Sequence, residues 1–256
     1  MPHELFERTA LRIGSAGLAR LRRAFVCVAG IGAVGSYAVE ALARAGVGRL
    51  RVVDSGVVRR SNRNRQLYAL ESTTGRPKSE VARERILDIH PGCQVEALSL
   101  FVEARTLDAV LAGPPDAVID AIDSCGPKVE LIAGAVARGV PILSSMGAAT
   151  RTDPSQVRAG DVFLARNCPL ARLMRKRLRR RGIVRGVRCV YSLEAPSRCA
   201  EREMPDAAWR GRPRDALGSL PTITGIFGLW LAHEAIALLL GGIPPGPPRT
   251  TPRRAV

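Results

Sequence analysis

The stretch FVCVAGIGAVG, residues 25–35, decides the fold. Its first five residues are an apolar run of strand length. The run ends in Gly30-x-Gly32-x-x-Gly35, and residues 34–45 behind it read as a helix. Gly30 permits the tight strand-to-helix turn, Gly32 lets the backbone approach a ligand, and Gly35 lets the helix pack on the strand. The N–H groups at the start of such a helix, with its dipole, favour an anion. A second apolar run, 49–54, stops at Asp54, where a carboxylate can accept hydrogen bonds from ribose hydroxyls. In a chain with 25 glycines the alternative is simple packing. Strand, glycines, helix, strand and acid in this order favour a nucleotide instead.

Outward from this unit, strands alternate with helices. The pattern predicts a helix at about 77–89 stopped by His90-Pro91-Gly92, a strand at 94–99, a helix at 104–112 and a strand at 116–121. A helix at about 127–138 and a strand Val140–Ser144 follow. This is an α/β, Rossmann-like, doubly wound and mainly parallel sheet with an additional C-terminal basic and apolar region. Four parts are expected: an N-terminal helical arm (1–24), a nucleotide-binding core (25–150), a basic region with a C-terminal helix in the same domain (151–240), and a disordered Pro/Gly/Arg tail (241–256). The loop 55–76 is long for such a fold, and long ordered loops are often functional.

Composition sets bounds. The 256 residues are 46% hydrophobic but only 4% aromatic, so the core must be aliphatic. The net charge of +16 suggests a polyanionic partner. Only Lys78, Lys128 and Lys176 of the 39 basic residues are lysine, so part of the charge reflects a general drift toward arginine. A lysine that persists in such a chain marks a place where a compact ammonium suits and a planar guanidinium does not. The six cysteines form no C-x-x-C pair, which argues against a four-thiolate zinc site. Neither disulfides nor a secretory signal before the first strand are suggested, and a reducing, cytoplasmic setting is expected.

After residue 150 the texture changes. Segment 151–200 holds 12 arginines and one lysine against three acids. Within LARLMRKRLRRRG (170–182), Leu170, Leu173, Met174 and Leu178 share a predicted helical face. The cations Arg172, Arg175, Lys176, Arg177, Arg179, Arg180 and Arg181 lie elsewhere on it. A solvated face is the ordinary reading of a charge run, but six cations within positions 175–181 favour a nucleic-acid backbone. Residues 222–240 form a strongly apolar helix approaching membrane-spanning length. His233 and Glu234 near its middle favour a buried helix or a dimer interface, with membrane association left open.

The loop SNRNRQ (61–66), with Lys78 and Asp123 beyond it, separates this chain from a dehydrogenase. Asn62 and Arg65 lie past the ribose acid, and Lys78 opens the next helix. Fixed cations beside a triphosphate stabilise charge on an attacked α-phosphate and on departing pyrophosphate. Asp123 falls at the carboxyl edge of the sheet, where it would face phosphates through Mg2+ or, alternatively, cap a helix. The set reads as an adenylation site in which a carboxylate attacks ATP.

The series GIGAVG, Asp54, SNRNRQ, GRPKSEV and DAIDS, continued by Ser145-Met146-Gly147-Ala148, Asp153-Pro154, Pro169-Leu170-Ala171 and Gly225-Ile226-Phe227-Gly228, resembles the MoeB/ThiF superfamily. Within it the chain is most similar to the tRNA threonylcarbamoyladenosine dehydratases. The resemblance covers residues 5 to about 240. It implies ATP-dependent cyclisation of threonylcarbamoyladenosine beside the anticodon, through a carboxyl adenylate. It also implies Mg2+, a homodimer and tRNA held by the arginine helix. Gly30, Gly32 and Gly35 would approach the nucleotide, Asp54 the ribose, and Asn62, Arg65 and Lys78 the phosphates. Asp123 would hold Mg2+. Arg8, with Arg12 as its rival, would reach into the partner subunit's site. The family usually carries a second acid two residues after Asp54, and here that position is Gly56, which predicts weaker metal binding or loop ordering. Two other activities compete. An activator of a ubiquitin-like sulfur carrier, with a sulfur-transfer protein as partner, leaves the basic segment unexplained. A nicotinamide-dependent oxidoreductase leaves Arg65, Lys78 and Asp123 idle.

Overall fold

Phe25–Ala29 (β1) is buried along its whole length, and so are Ala117–Asp120 (β4) and Ile142–Ser145 (β5). Strands covered on both faces tend to read as apolar runs; FVCVA in β1 and Ala117–Ile119 in β4 do so, whereas β5 also buries Ser144 and Ser145. The computed structural model describes residues 4–197 and 217–242. With Arg49–Val53 (β2), Gln94–Leu98 (β3), Val157–Asp161 (β6) and Arg188–Ser192 (β7), the strands form one sheet in the order β3-β2-β1-β4-β5-β7-β6. All neighbours are parallel except β6, which runs antiparallel to β7. The order reverses between β1 and β4, the crevice where such sheets bind ligands.

Alternate side chains of β1 feed two cores. Val26 and Val28 pack beneath Gly35–Ala45 (α2), Lys78–Ile89 (α3) and Pro221–Leu239 (α7). Cys27 and Ala29 pack beneath Leu107–Leu111 (α4), Cys125–Ala137 (α5) and Pro169–Arg179 (α6). Glu7–Arg23 (α1) carries a break at Gly14 and reaches α7 through Arg20, whose Nη1 donates to the Leu240 carbonyl at 2.8 Å.

Four details differ from the sequence reading. The helix expected at 104–112 is a 3-10 turn, Ala104–Thr106, followed by the short α4. The strand expected at Val140–Ser144 lies at Ile142–Ser145 because Pro141 precedes it and cannot donate to a ladder. On α6, Leu173 is 38% exposed, and Ala171 joins Met174 and Leu178 on the buried face. β6 and β7 lie inside the basic region, where no strand was expected. The tail from residue 243 onward falls outside the described residues.

The apolar helix α7 is the one helix among the described residues long and apolar enough to cross a bilayer, and half of that stretch is buried in the fold. Ile223, Phe227 and Leu231 are fully buried. A Cβ at position 228 would stand 2.2 Å from the Val34 carbonyl oxygen, so Gly228 permits the close approach to α2. Glu234 accepts from Arg188 of β7 at 2.6 and 2.9 Å. The helix is therefore a core element of the sheet. Phe227→Ala should lower the unfolding free energy by about 3–5 kcal/mol, read from denaturant melts, because a fully enclosed aromatic leaves a cavity.

Candidate active site

Strand register sets the site. Ala29 aligns with Val53 on one side and Asp120 on the other, so the residues that follow each strand meet at one edge. Gly30 takes φ +88°, and a Cβ there would lie 2.8 Å from the Ala121 carbonyl. Gly35 is needed closer to home than expected: its Cβ would stand 1.8 Å from the Gly30 oxygen, inside the turn itself. Above Gly32 the nearest heavy atom to such a Cβ is the Gln66 Nε2 at 3.8 Å, an ordinary contact with the tip of one side chain, so no backbone crowds this position. No side chain caps α2. An uncapped helix start suits an anion.

Asp54 is tied to the turn. Its Oδ2 accepts from the Ile31 N–H at 2.7 Å and its Oδ1 from the Gly56 N–H at 2.7 Å. The loop after it folds back through an antiparallel bridge between Val57 and Pro77, and the Lys78 N–H donates to the Gly56 carbonyl at 3.0 Å. This brings the Lys78 ammonium within 3.6 Å of a Cβ position at residue 56, beside Asp54.

The Asn/Arg loop is pegged to the glycine turn by Ser36. This buried hydroxyl donates to the Gly32 carbonyl at 2.7 Å and accepts from the Leu67 N–H at 3.1 Å. Asn62 is buried and shapes the loop, its Oδ1 accepting from the Arg59 N–H at 3.1 Å. The Arg65 guanidinium donates to the Asn64 Oδ1 at 2.7 Å and the Ser61 carbonyl at 3.0 Å. Asp123 is exposed between β4 and α5, and the N-cap position of α5 is Ser124. The edge thus gathers the glycines, Asp54, Lys78, the loop bearing Asn62 and Arg65, and Asp123. Gln66 and Ser36 were missed as contributors. Gln66 closes the SNRNRQ run, but nothing in the sequence shows that Ser36 faces the loop.

Arg8 and Arg12 are exposed on α1, outside this edge. On α6, Arg172, Lys176, Arg177 and Arg180 are exposed and form no ion pair among the described residues. Arg175 donates to the Val162 and Ala165 carbonyls, Arg179 lies over the Phe163 ring, and Arg181 pairs with Glu130. Burial pushes the Cys27 thiol up to about 12 and that of Cys93 to about 11. Neither is poised as a nucleophile.

The ThiF family model matches residues 6–254, and the chain belongs to that family. A Bacillus subtilis protein named tRNA threonylcarbamoyladenosine dehydratase is 44% identical over 191 residues, 75% of either chain. Its Escherichia coli namesake is 34% identical over 249 residues, 92% of this chain and 93% of its own. The crystal structure of that E. coli enzyme, TcdA, in complex with AMP superposes with a TM-score of 0.84 at 33% identity, covering 93% of this chain and 95% of the other. Its complex with ATP gives a TM-score of 0.82 at the same identity.

Gly35→Ala should abolish ATP binding in calorimetry, since the added methyl meets backbone oxygen. Gly32→Ala, whose methyl makes only an ordinary contact with the Gln66 side chain, should leave the melting temperature unchanged while weakening ATP. Tight ATP binding by both variants would move the nucleotide elsewhere.

Proposed function

We propose that this chain uses ATP to cyclise threonylcarbamoyladenosine in tRNA, removing the elements of water from the nucleoside: the carboxyl oxygen leaves on AMP and the hydrogen as a proton. The observation that carries the proposal is the convergence at one sheet edge of the glycine turn, Asp54 and Lys78. Its support from outside is the dehydratase name shared by relatives that match nearly the whole chain.

In this reading the threonyl carboxylate attacks the α-phosphate and pyrophosphate departs. The ureido nitrogen of the same modified base then attacks the activated carbonyl, loses its proton, and displaces AMP. Gly30, Gly32 and Gly35 admit the phosphates, and Asp54 holds the ribose while bracing the turn. Arg65 and Lys78 stabilise charge on the phosphates, and Asn62 holds the loop that presents Arg65. Because ring closure is intramolecular, positioning supplies much of the rate and no protein nucleophile is required.

Asp123 would hold Mg2+. No group of three or more His, Cys, Asp or Glu side chains is placed to bind a metal among the described residues. A single carboxylate fits an ion that takes its other ligands from phosphates and water. Bound there, Mg2+ would neutralise charge on the triphosphate.

The four solvent-facing cations of α6, Arg172, Lys176, Arg177 and Arg180, are assigned to the tRNA backbone. Arg175, Arg179 and Arg181 hold that helix in place. A homodimer is supported by the outer face of α7, where Ile226, Leu229, Trp230 and His233 line an apolar hollow. Leu11, 81% exposed beside Arg8 and Arg12, is a separate exposed apolar side chain on α1. In such a dimer Arg8 would serve the partner subunit's site. The setting is cytoplasmic, where tRNA is modified. No observation favours a sulfur-transfer partner.

Incubating the protein with ATP, magnesium and tRNA bearing threonylcarbamoyladenosine should yield AMP and a nucleoside one water lighter by mass analysis. Lys78→Ala and Arg65→Ala should each slow AMP formation by about 100-fold or more, as for other removed transition-state donors. AMP release with a sulfur-carrier protein and none with tRNA would reverse the assignment. Neutralising Arg172, Lys176, Arg177 and Arg180 together should flatten the log–log salt dependence of tRNA binding by about one unit for each phosphate that is no longer neutralised. An unchanged slope would make α6 a bystander.

A further inference from the structure

Beneath the site lies a charge cluster that the proposed chemistry does not use. Asp120 ends β4, Lys128 lies one helical turn into α5, and Ser144 sits on β5; all three side chains are fully buried. The Lys128 Nζ donates to the Asp120 Oδ2 at 2.7 Å and to the Ser144 Oγ at 3.3 Å. The Ser144 hydroxyl donates to the same carboxylate oxygen at 2.6 Å. The other carboxylate oxygen, Oδ1, accepts from the Ile122 N–H at 3.1 Å.

Burying an ion pair seldom adds net stability, since apolar residues of similar volume commonly do as well or better. A fully satisfied buried network does fix geometry. Here the geometry fixed is that of the Ala121–Ile122 peptide. One side of that peptide meets Gly30, whose Cβ would lie 2.8 Å from the Ala121 carbonyl and 2.9 Å from the Ile122 nitrogen. The Ile122 N–H itself is held by Asp120. Asp123 is the next residue. Lysine also suits the place: an enclosed guanidinium would bring five donors to a cavity whose acceptors are one carboxylate and one hydroxyl.

We propose that Asp120, Lys128 and Ser144 are positioning residues that set Asp123 relative to the glycine turn and so tune the affinity of the site for a nucleotide-bound divalent cation. This rests on the reading that Asp123 holds the metal. The cation stays an outer partner of the cluster, which touches neither ATP nor metal.

The test uses Mn2+ as a spin probe with α,β-methylene-ATP, a nucleotide that cannot be cleaved at the attacked position. Free Mn2+ is followed by electron paramagnetic resonance in the full-length protein. Ser144→Ala and the charge-neutral pair Asp120→Asn with Lys128→Met should weaken Mn2+ binding by about 10–100-fold, the range for groups that orient metal ligands. Binding of the analogue without metal should be unchanged. If the double variant fails to fold, Ser144→Ala decides alone, since it removes a single hydroxyl. Folded variants with wild-type Mn2+ affinity, or variants that lose analogue and metal affinity in parallel, overturn the positioning role. Asp123→Asn separates the two ideas. If it weakens Mn2+ while the cluster variants do not, only the positioning role fails. If it too leaves Mn2+ unchanged, the metal assignment fails and the proposal falls with it.

Discussion

At the middle of the sheet's carboxyl edge the Ala121–Ile122 peptide rests against the α-carbon of Gly30. A side chain at position 30 has no room there, and its backbone stands in the left-handed region that other residues avoid. Gly35 closes the turn from the opposite side against the Gly30 carbonyl. These two contacts between backbone atoms bring the ends of β1 and β4 together at the point where strand order reverses. The glycine turn and the segment bearing Asp123 are therefore neighbours by construction. Asp54, braced on the Ile31 and Gly56 amides, extends the same edge toward β2. Every other group assigned to the site is placed by reference to this junction.

Charge is distributed in two ways. Much of the arginine is spent inside the fold. Glu96 on β3 pairs with both Arg49 and Arg51 of β2, and Arg51 also donates to the Val110 and Ala112 carbonyls. Glu40 joins α2 to α3 through Arg85 and also takes Arg44. Burial alone would raise the Glu40 carboxyl, but hydrogen bonds from Arg85 and Arg44 outweigh it and hold the group below its usual range. These pairs answer to stability and packing, which accords with a general drift toward arginine. Arg172, Lys176, Arg177 and Arg180 have no such ion-pair partner among the described residues, and they lie together along α6 and its C-cap. A concentrated surface field, rather than the total charge of the chain, is what a phosphate backbone would read.

The N-terminal half was legible because its local signals agree. β1 is apolar throughout, α2 begins at a glycine turn and ends at Gly46 with φ +92°, and α3 stops where His90-Pro91 forbids another turn. Of the candidate site, the glycines, Asp54, Lys78 and Asp123 were named from the sequence, and the fold brings them to one sheet edge. β6 and β7 could not be found in the same way. Arg188 enters β7 because Glu234, 46 residues further on, neutralises it, and a partner that distant leaves no trace in a local window. Asp161 likewise ends β6 by accepting from the Phe163 and Gly186 amides. Ser36 was invisible for a related reason: a serine inside an amphipathic helix looks like any other small residue until the loop that it pegs is in place. The burial of Lys128 follows the same logic, although the scarcity of lysine in this chain had singled it out.

Gly56 shows how backbone can replace a side chain. The resemblance implies a second acid there, and weaker metal binding or loop ordering was the expectation. The loop is instead clamped by main-chain bonds: Lys78 N–H to the Gly56 carbonyl at 3.0 Å, Val58 N–H to the Arg76 carbonyl at 2.9 Å, and Gly75 N–H to the Val58 carbonyl at 2.8 Å. An acid at position 56 would begin 3.0 Å from the Asp54 Oδ1 and 3.6 Å from the Lys78 Nζ. It would add a like charge beside Asp54 and compete with a phosphate for the ammonium. With glycine, Asp54 is the one carboxylate that this corner sets beside the Lys78 ammonium, and it keeps both oxygens on backbone amides. A hydrogen in place of an acid thus leaves one fewer carboxylate to pair with the ammonium within the protein, while main-chain bonds, with Asp54, Ser36 and Asn62, keep the loop in place.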